Sequence, residues 1–357
     1  MPLSRLNVRT LRNLQEVSIR PGTGLNILYG LNASGKTSIL EAIYILGHGR
    51  SFRTNKIQTA IQNNQKEFSV FAELQPDQIK IGVQKTTDER IHSRINGVDI
   101  HNSSSLATNL PLILITPESF KLVNEGPEFR RHYIDWLMFH VEHDFHRIWL
   151  TYAKTLKQRN ALLKQRRSKQ ELLVWTQQLA EIGTKLHRIR QTHIEPIIQK
   201  VRFFLNQLEL RQELNFTYRS GWNREINLEQ ALTNNLDSDY QLGYTTVGPH
   251  RAEIAITVEQ KKAMDILSRG QQKILVSALK LAQLSLYKTM TGKTPIILID
   301  DIAAELDSEH RYKLLKTLRD MDIQAFVTAI DYTVLDLSIW PEHKVFHVEH
   351  GLVKEVV

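Results

Sequence analysis

The sequence predicts an α/β protein: a mixed sheet with an antiparallel part, interrupted in the chain by a helical lobe that carries a short antiparallel helical arm. Three observations predict it. A glycine-rich segment, residues 30–37, follows a short apolar run and precedes a helical pattern. A second apolar run, Ile296-Ile297-Leu298-Ile299, ends on two acids, Asp300 and Asp301. Between them, over about 128–213, apolar residues fall at helical spacing instead of alternating.

The elements follow in order. Residues 3–10 read as an opening strand, and 25–29 as a buried strand entering a tight turn. Residues 38–46 are apolar at helical spacing. The stretches 66–74, 78–84 and 90–100 read as antiparallel strands, with Asn96-Gly97 as a two-residue hairpin turn. Residues 112–115 form a short strand ended by Thr116-Pro117. From 128 to about 167 the apolar residues lie on one helical face. Then Leu172, Trp175, Leu179, Ile182, Leu186 and Ile189 alternate steps of three and four, a coiled-coil seam. Polar residues 165–170 join the two helices, so the region reads as a hairpin of about 45 Å, which Pro196 should kink or break. Strands at 214–218 and 253–258 flank a polar loop at 234–239. A helix at 271–289, a strand at 296–300, a helix at 308–319 and a strand at 325–328 close the chain with two short segments. The expected division is 1–126 with 285–357 as one lobe and 127–284 as the other.

Composition limits the function. Of 357 residues 41% are hydrophobic and 24% charged, as in globular proteins. A formal net charge of +8 favours polyanionic partners. With no cysteine, a disulfide framework and cysteine-ligated zinc are excluded, and a reducing compartment is expected. The start Met1-Pro2-Leu3-Ser4-Arg5 has no apolar signal-peptide core, and no apolar run approaches the ~20 residues that span a bilayer. A cytoplasmic protein that is no permease is the expectation.

Gly30-Leu31-Asn32-Ala33-Ser34-Gly35-Lys36-Thr37 fits the phosphate-loop pattern in full, between strand and helix. The glycines let backbone N–H groups face phosphates, and the helix start adds positive partial charge. Lys36 would reach the β- and γ-phosphates of ATP, and the Thr37 hydroxyl would ligate Mg²⁺. Gly292-Lys293-Thr294 lacks the upstream glycine and reads as a turn. Asp300 ends a strand where ligands bind in open α/β sheets; it would hold Mg²⁺, and Asp301 would polarise the attacking water.

Ser268-Arg269-Gly270-Gln271-Gln272 opens a helix. This segment, ahead of the acidic strand, resembles the signature motif of ABC-type ATPases. In that family the serine (here Ser268, with Gly270 and Gln271 at the helix start) contacts the γ-phosphate bound to the opposite protomer. Glu305-Leu306-Asp307 matches the family's dimer-contact loop, and Asp307 also suits an N-cap. The wide gap between Lys36 and Ser268, filled by a helical hairpin, resembles the SMC-like branch of the superfamily, and the short arm resembles its RecF family. Arg50-Ser51-Phe52-Arg53, Pro127-Glu128-Phe129-Arg130-Arg131 leading to Asp135, Gln158-Arg159-Asn160, Gly248-Pro249-His250-Arg251 and 267–273 carry that resemblance along the whole chain. Ala252-Glu253 departs from it, standing where two acids are expected.

The resemblance implies an ABC-type head and an ATP-dependent homodimer on DNA, at duplexes and single-strand/duplex junctions. It further implies work with RecR and RecO to place RecA at gaps, in repair, replication restart and the SOS response. Asp301, shorter than the usual glutamate, and Ala329-Ile330-Asp331, without a histidine, predict slow hydrolysis. Candidate phosphate contacts on DNA are Arg50, Arg53, Lys56, Arg130, Arg131, Lys154, Lys157, Arg159, Lys164, Arg166, Arg167 and Lys169, reading backbone and not sequence. A transporter ATPase subunit and a small-molecule kinase are the alternatives. The coiled-coil seam speaks against the first. The Ser268 segment and the arm are left unexplained by the second.

Overall fold

The structure, a computed structural model, describes residues 2–88 and 90–356; Met1, Glu89 and Val357, all within the first expected lobe, lie outside them. The chain forms two units, Met1–Ser119 with Lys273–Val357, and Phe120–Gln272.

In the first unit, β1 (Leu3–Leu11), β2 (Leu14–Ile19) and β3 (Leu25–Tyr29) lead to α1 (Lys36–His48). Strands β4 (Glu67–Leu74), β5 (Ile79–Thr86), β6 (His92–Ile95) and β7 (Val98–Ile100) follow, then α2 (Ser103–Asn109) and β8 (Leu112–Ile115). The strands β2-β1-β4-β5-β6-β7 make one antiparallel sheet. Buried and exposed residues alternate along β1, β2 and β4, as expected of a sheet with one solvated face. Asn96 (φ 49°) and Gly97 (φ 82°) both have positive φ, as the expected hairpin turn requires.

In the second unit, α3 (Lys121–Asn124) and α4 (Pro127–Val141) precede the arm, α5 (Phe145–Lys164) and α6 (Lys169–Gln207). The arm helices have 20 and 39 residues, about 30 and 58 Å. Leu172, Leu179 and Leu186 of the expected seam are buried. Pro196 does not end α6, contrary to a break. Ile197, Ile198, Val201 and Phe204 beyond it are buried, and each such side chain contributes about 1.5–3 kcal/mol, more in sum than the ~3 kcal/mol an interior proline costs. β9 (Asn215–Arg219) is followed by α7 (Leu228–Asn234) and α8 (Leu236–Leu242). These two helices replace the expected loop at 234–239. Asn227 and Gln230 form a capping box on α7, and Leu236 with Tyr240 packs on Leu163 and Leu172 at the arm tip. β10 (Glu253–Val258), β11 (Lys261–Lys262) and α9 (Ala263–Ile266) complete the unit, the three strands ordered β11-β10-β9.

Helix α10 (Arg269–Thr291) leads back to β12 (Ile296–Ile299), α11 (Ile302–Glu305), α12 (Ser308–Asp320), β13 (Gln324–Ala329), β14 (Lys344–Glu349) and β15 (Leu352–Glu355). The second sheet of the first unit runs β15-β14-β3-β13-β12-β8, parallel except for β15. Every residue of β12 and β13 is buried, as a parallel sheet covered on both faces demands. Ile39, Leu40, Ile43 and Leu46 of α1 share one buried cluster with Leu6, Val70 and Ile81 of the antiparallel sheet and Leu298 and Phe326 of the parallel one. The phosphate-loop helix thus lies between the sheets. Among the described residues no helix is long and apolar enough to cross a membrane.

Candidate nucleotide site

Strand β3 ends at Tyr29, and the loop 30–35 turns the chain into α1, whose N-cap is Gly35. Gly35 has φ 122°, a conformation closed to side-chain-bearing residues. Lys36 is nearly buried, and its Nζ donates to the carbonyls of Gly30 (2.6 Å) and Leu31 (2.8 Å). Burial pulls the Lys36 ammonium below its ordinary pKa, against the opposing pull of Asp301 and Asp300. Thr37 Oγ1 donates to Asp300 at 2.9 and 3.2 Å. Ser34 Oγ is buried without a hydrogen-bond partner. Leu31, Asn32 and Ala33 at the loop's tip are exposed.

Asp300 and Asp301 follow β12, in line with the parallel strands on either side. Thr328, at the end of neighbouring β13, was not foreseen and ties both acids together: its hydroxyl donates to Asp300 Oδ1 (2.8 Å) and accepts from the Asp301 N–H (2.7 Å). Its position at a strand's carboxyl end was the one available signal. Asp301 itself is left-handed (φ 51°, ψ 58°), a strained state for this residue and a frequent one at reactive sites. Burial raises the Glu305 carboxyl, as do Asp301 and Asp300, while Lys273 opposes them.

These groups face one open pocket of about 720 Å³, lined by Asn32, Ala33, Ser34, Gly35, Lys36 and Thr37, by Asp300, Asp301 and Thr328, and by Arg12, Asn13 and Arg53. It is large enough for a nucleotide. An unsatisfied hydroxyl, a lysine resting on loop carbonyls and a helix start suit a phosphate chain. Thr37 and Asp300 present hard oxygen donors 2.9 Å apart, a pair that fits Mg²⁺.

Ser268 lies in the second unit, exposed at the start of α10. It accepts from the Gln271 N–H (3.3 Å) while Gln271 Oε1 accepts from the Ser268 N–H (2.9 Å), a reciprocal cap. Arg269 and Gly270 beside it are exposed too. Asp307 caps α12 through the His310 N–H (3.0 Å).

The expected DNA contacts divide. Arg50, Lys56, Lys154, Lys157, Lys164, Arg166, Arg167 and Lys169 are exposed. Arg159 is not: it is fully buried, bonded to Asp239 (2.8 Å), Thr245 (2.7 Å) and Thr176 (3.0 Å), and cannot meet DNA. Arg130 is bound to Glu253 and to the carbonyls of Leu122 and Glu125, and Arg131 donates to the Ala252 carbonyl. Arg53 is exposed as well, though its guanidinium reaches the buried carboxylate of Glu41. Several segments that carried the family resemblance therefore meet in a polar network inside the second unit. There Arg190 grips Asp135 (2.8 and 2.7 Å) and the Pro249 carbonyl (2.7 Å), and Tyr152 bonds His250 (2.7 Å).

The RecF/RecN/SMC N-terminal domain pattern matches residues 2–354. The chain is 40% identical over 356 residues to the DNA replication and repair protein RecF of Shewanella halifaxensis, covering 99% of this chain and 98% of the relative. The RecF protein of Cellvibrio japonicus is 40% identical over 362 residues, covering 99% of both. A solved structure of the recombination mediator protein RecF with ATP, in the RecFOR pathway, aligns with TM-score 0.87 at 27% identity, over 100% of this chain and 98% of that one. An SMC head bound to the C-terminal winged-helix domain of ScpA aligns at 0.64 and 16%, over 100% and 97%, a likeness of fold.

Proposed function

The chain belongs to the RecF/RecN/SMC N-terminal domain family, and from that premise we propose that it is an ATP-dependent DNA-binding repair protein of the RecF kind. ATP closes two copies around DNA, and slow hydrolysis resets them. The observation that carries the reading is the convergence of Lys36, Thr37, Asp300, Asp301 and Thr328 on one nucleotide-sized pocket.

The chain's own groups divide the work. The N–H groups of 30–37 and the unpartnered Ser34 hydroxyl take the phosphates, and Lys36 exchanges the Gly30 and Leu31 carbonyls for phosphate oxygens. Thr37 and Asp300 would hold Mg²⁺, which when bound neutralises phosphate charge. Asp301, its main chain fixed by Thr328, polarises the attacking water. Its short side chain and the lack of a histidine at 329–331 keep turnover slow. Ser268 and the exposed start of α10 seal the γ-phosphate of the other copy. Lysines and arginines on the arm, with Arg50 and Lys56, contact the DNA backbone, so binding is salt-sensitive and tolerant of sequence. The likeness to RecF structures of the RecFOR pathway supports work with RecR and RecO, and the family resemblance adds junctions as the site and RecA as the protein placed there.

The test is Ser268→Arg. Sedimentation with a non-hydrolysable ATP analogue and duplex DNA should find the native protein dimeric and the variant monomeric, with ATP affinity of the monomer within about twofold. A variant that still pairs on ATP overturns the sandwich. Turnover of tens per second without DNA overturns the slow switch.

A further inference from the structure

Two turns remote in sequence are hydrogen-bonded to the phosphate loop. At the β1–β2 turn, the Asn13 side chain donates to the Ala33 carbonyl (3.2 Å) and accepts from the Ser38 hydroxyl (3.0 Å). At the β14–β15 turn, the Gly351 N–H donates to the Ser34 carbonyl (2.9 Å). The two turns also touch each other. A β-carbon at Gly351, which has φ 79°, would lie 2.1 Å from the Asn13 carbonyl oxygen. One at Gly30 would lie 2.2 Å from the Val348 carbonyl oxygen.

We propose that Asn13 and Gly351 form a bracket that sets the phosphate loop in its binding shape before nucleotide arrives, making both of them positioning residues. In a trans peptide the C=O and N–H point to opposite sides. Carbonyls of Ala33 and Ser34 held by Asn13 and Gly351 therefore direct the N–H groups of Ser34 and Gly35 away from those two anchors. In competition with this, the Ser34 N–H has only a long bond, 3.3 Å, to the Leu31 carbonyl. Without the two anchors the planes at 33–35 rotate freely, and a nucleotide must order them on binding. The proposal deepens the ATP reading and rests on it.

Two variants test it: Asn13→Ala, at an exposed position, and Gly351→Ala, which introduces no group near the phosphates. Hydrogen exchange of the peptide covering 30–37, without nucleotide, should accelerate about tenfold in each, as should the dissociation constant for ATP, the effect of one lost hydrogen bond. In Gly351→Ala, which lies outside the pocket lining, hydrolysis at saturating ATP should hold, so KM rises while kcat stays. Exchange unchanged from the native protein in Asn13→Ala overturns the bracket, whatever happens to ATP. Acceleration spread over the whole first unit overturns it too, because the turns would then hold the fold and not the loop. A native protein that fails to bind ATP in the same assay overturns the nucleotide reading, a result distinguishable because the exchange measurement needs no nucleotide.

Discussion

At the phosphate loop Lys36 rests on two backbone carbonyls, the Ser34 hydroxyl has no partner, and the Thr328 hydroxyl joins the Asp300 carboxylate to the Asp301 main-chain N–H. In the second unit Arg159 meets Asp239, Thr245 and Thr176 with no exposure, and Arg190 meets Asp135 and a carbonyl; among the described residues of this network Arg159 Nη2 and Arg130 Nε are left over. Both regions gather cations, acids and hydroxyls, the first at strand ends and a helix start, the second mainly within helices. The first leaves bonds to be made and opens on a pocket, so its groups can exchange partners. The second has nearly all of its bonds made and little solvent, so its groups can only be lost. Incomplete satisfaction marks the ligand site, and near-complete satisfaction marks the part that holds the arm to its neighbours.

The largest expected effect tests the closed network. Arg159→Ala leaves the buried Asp239 without its guanidinium partner, and should cost about 3–5 kcal/mol in a urea midpoint measurement. A loss below ~1 kcal/mol would mean the network is solvated and the contrast false. Next, Lys36→Met should weaken ATP binding about a hundredfold by calorimetry while leaving the melting temperature of the nucleotide-free protein unchanged or slightly higher, since a desolvated ammonium is removed. A clear loss of stability would place Lys36 with the structural charges.

A smaller effect concerns pH. Burial, together with Arg251 and Arg131, holds His250 down to about 4, against the Thr245 carbonyl and Asp239, which pull it up; burial likewise holds His140 to about 4. The unfolded chain binds these protons near pH 6.5, the fold only near 4. Their contribution is therefore complete above 6.5 and lost as pH falls towards 4. Melting temperature should fall across that window, and His250→Gln should flatten the fall. An unaltered slope would remove His250 as a source. The smallest effect belongs to the arm tip. Lys169→Ala breaks an exposed pair with Asp237 (2.6 Å) and should shift a denaturation curve by no more than its error, while DNA affinity at low salt drops measurably.

What was legible in the sequence was local. Residues 30–37 carry their meaning because one turn and one helix start are set by eight consecutive residues, and 296–301 because a strand and its acids are adjacent. What was not legible needed a partner far along the chain. Arg159 read as a DNA-phosphate contact because Asp239, 80 positions on, lay in a stretch taken for a loop. Thr328 passed unnoticed because its role exists only once β13 lies beside β12. Residues 14–19 alternate too briefly to announce β2, and the apolar face that carries α6 through Pro196 outweighs a rule about prolines.

The strand order bears on how the protein is made. β3, which aims the phosphate loop, lies between β13 and β14, so that Leu25 pairs with Ala325 and Asn26 with Lys344. As the ribosome delivers the chain, this apolar strand emerges early and waits without neighbours while the entire arm is synthesised. Such distant pairing is slow and leaves a sticky edge exposed in the interval, so the nascent protein acquires its nucleotide grip among its last folding events.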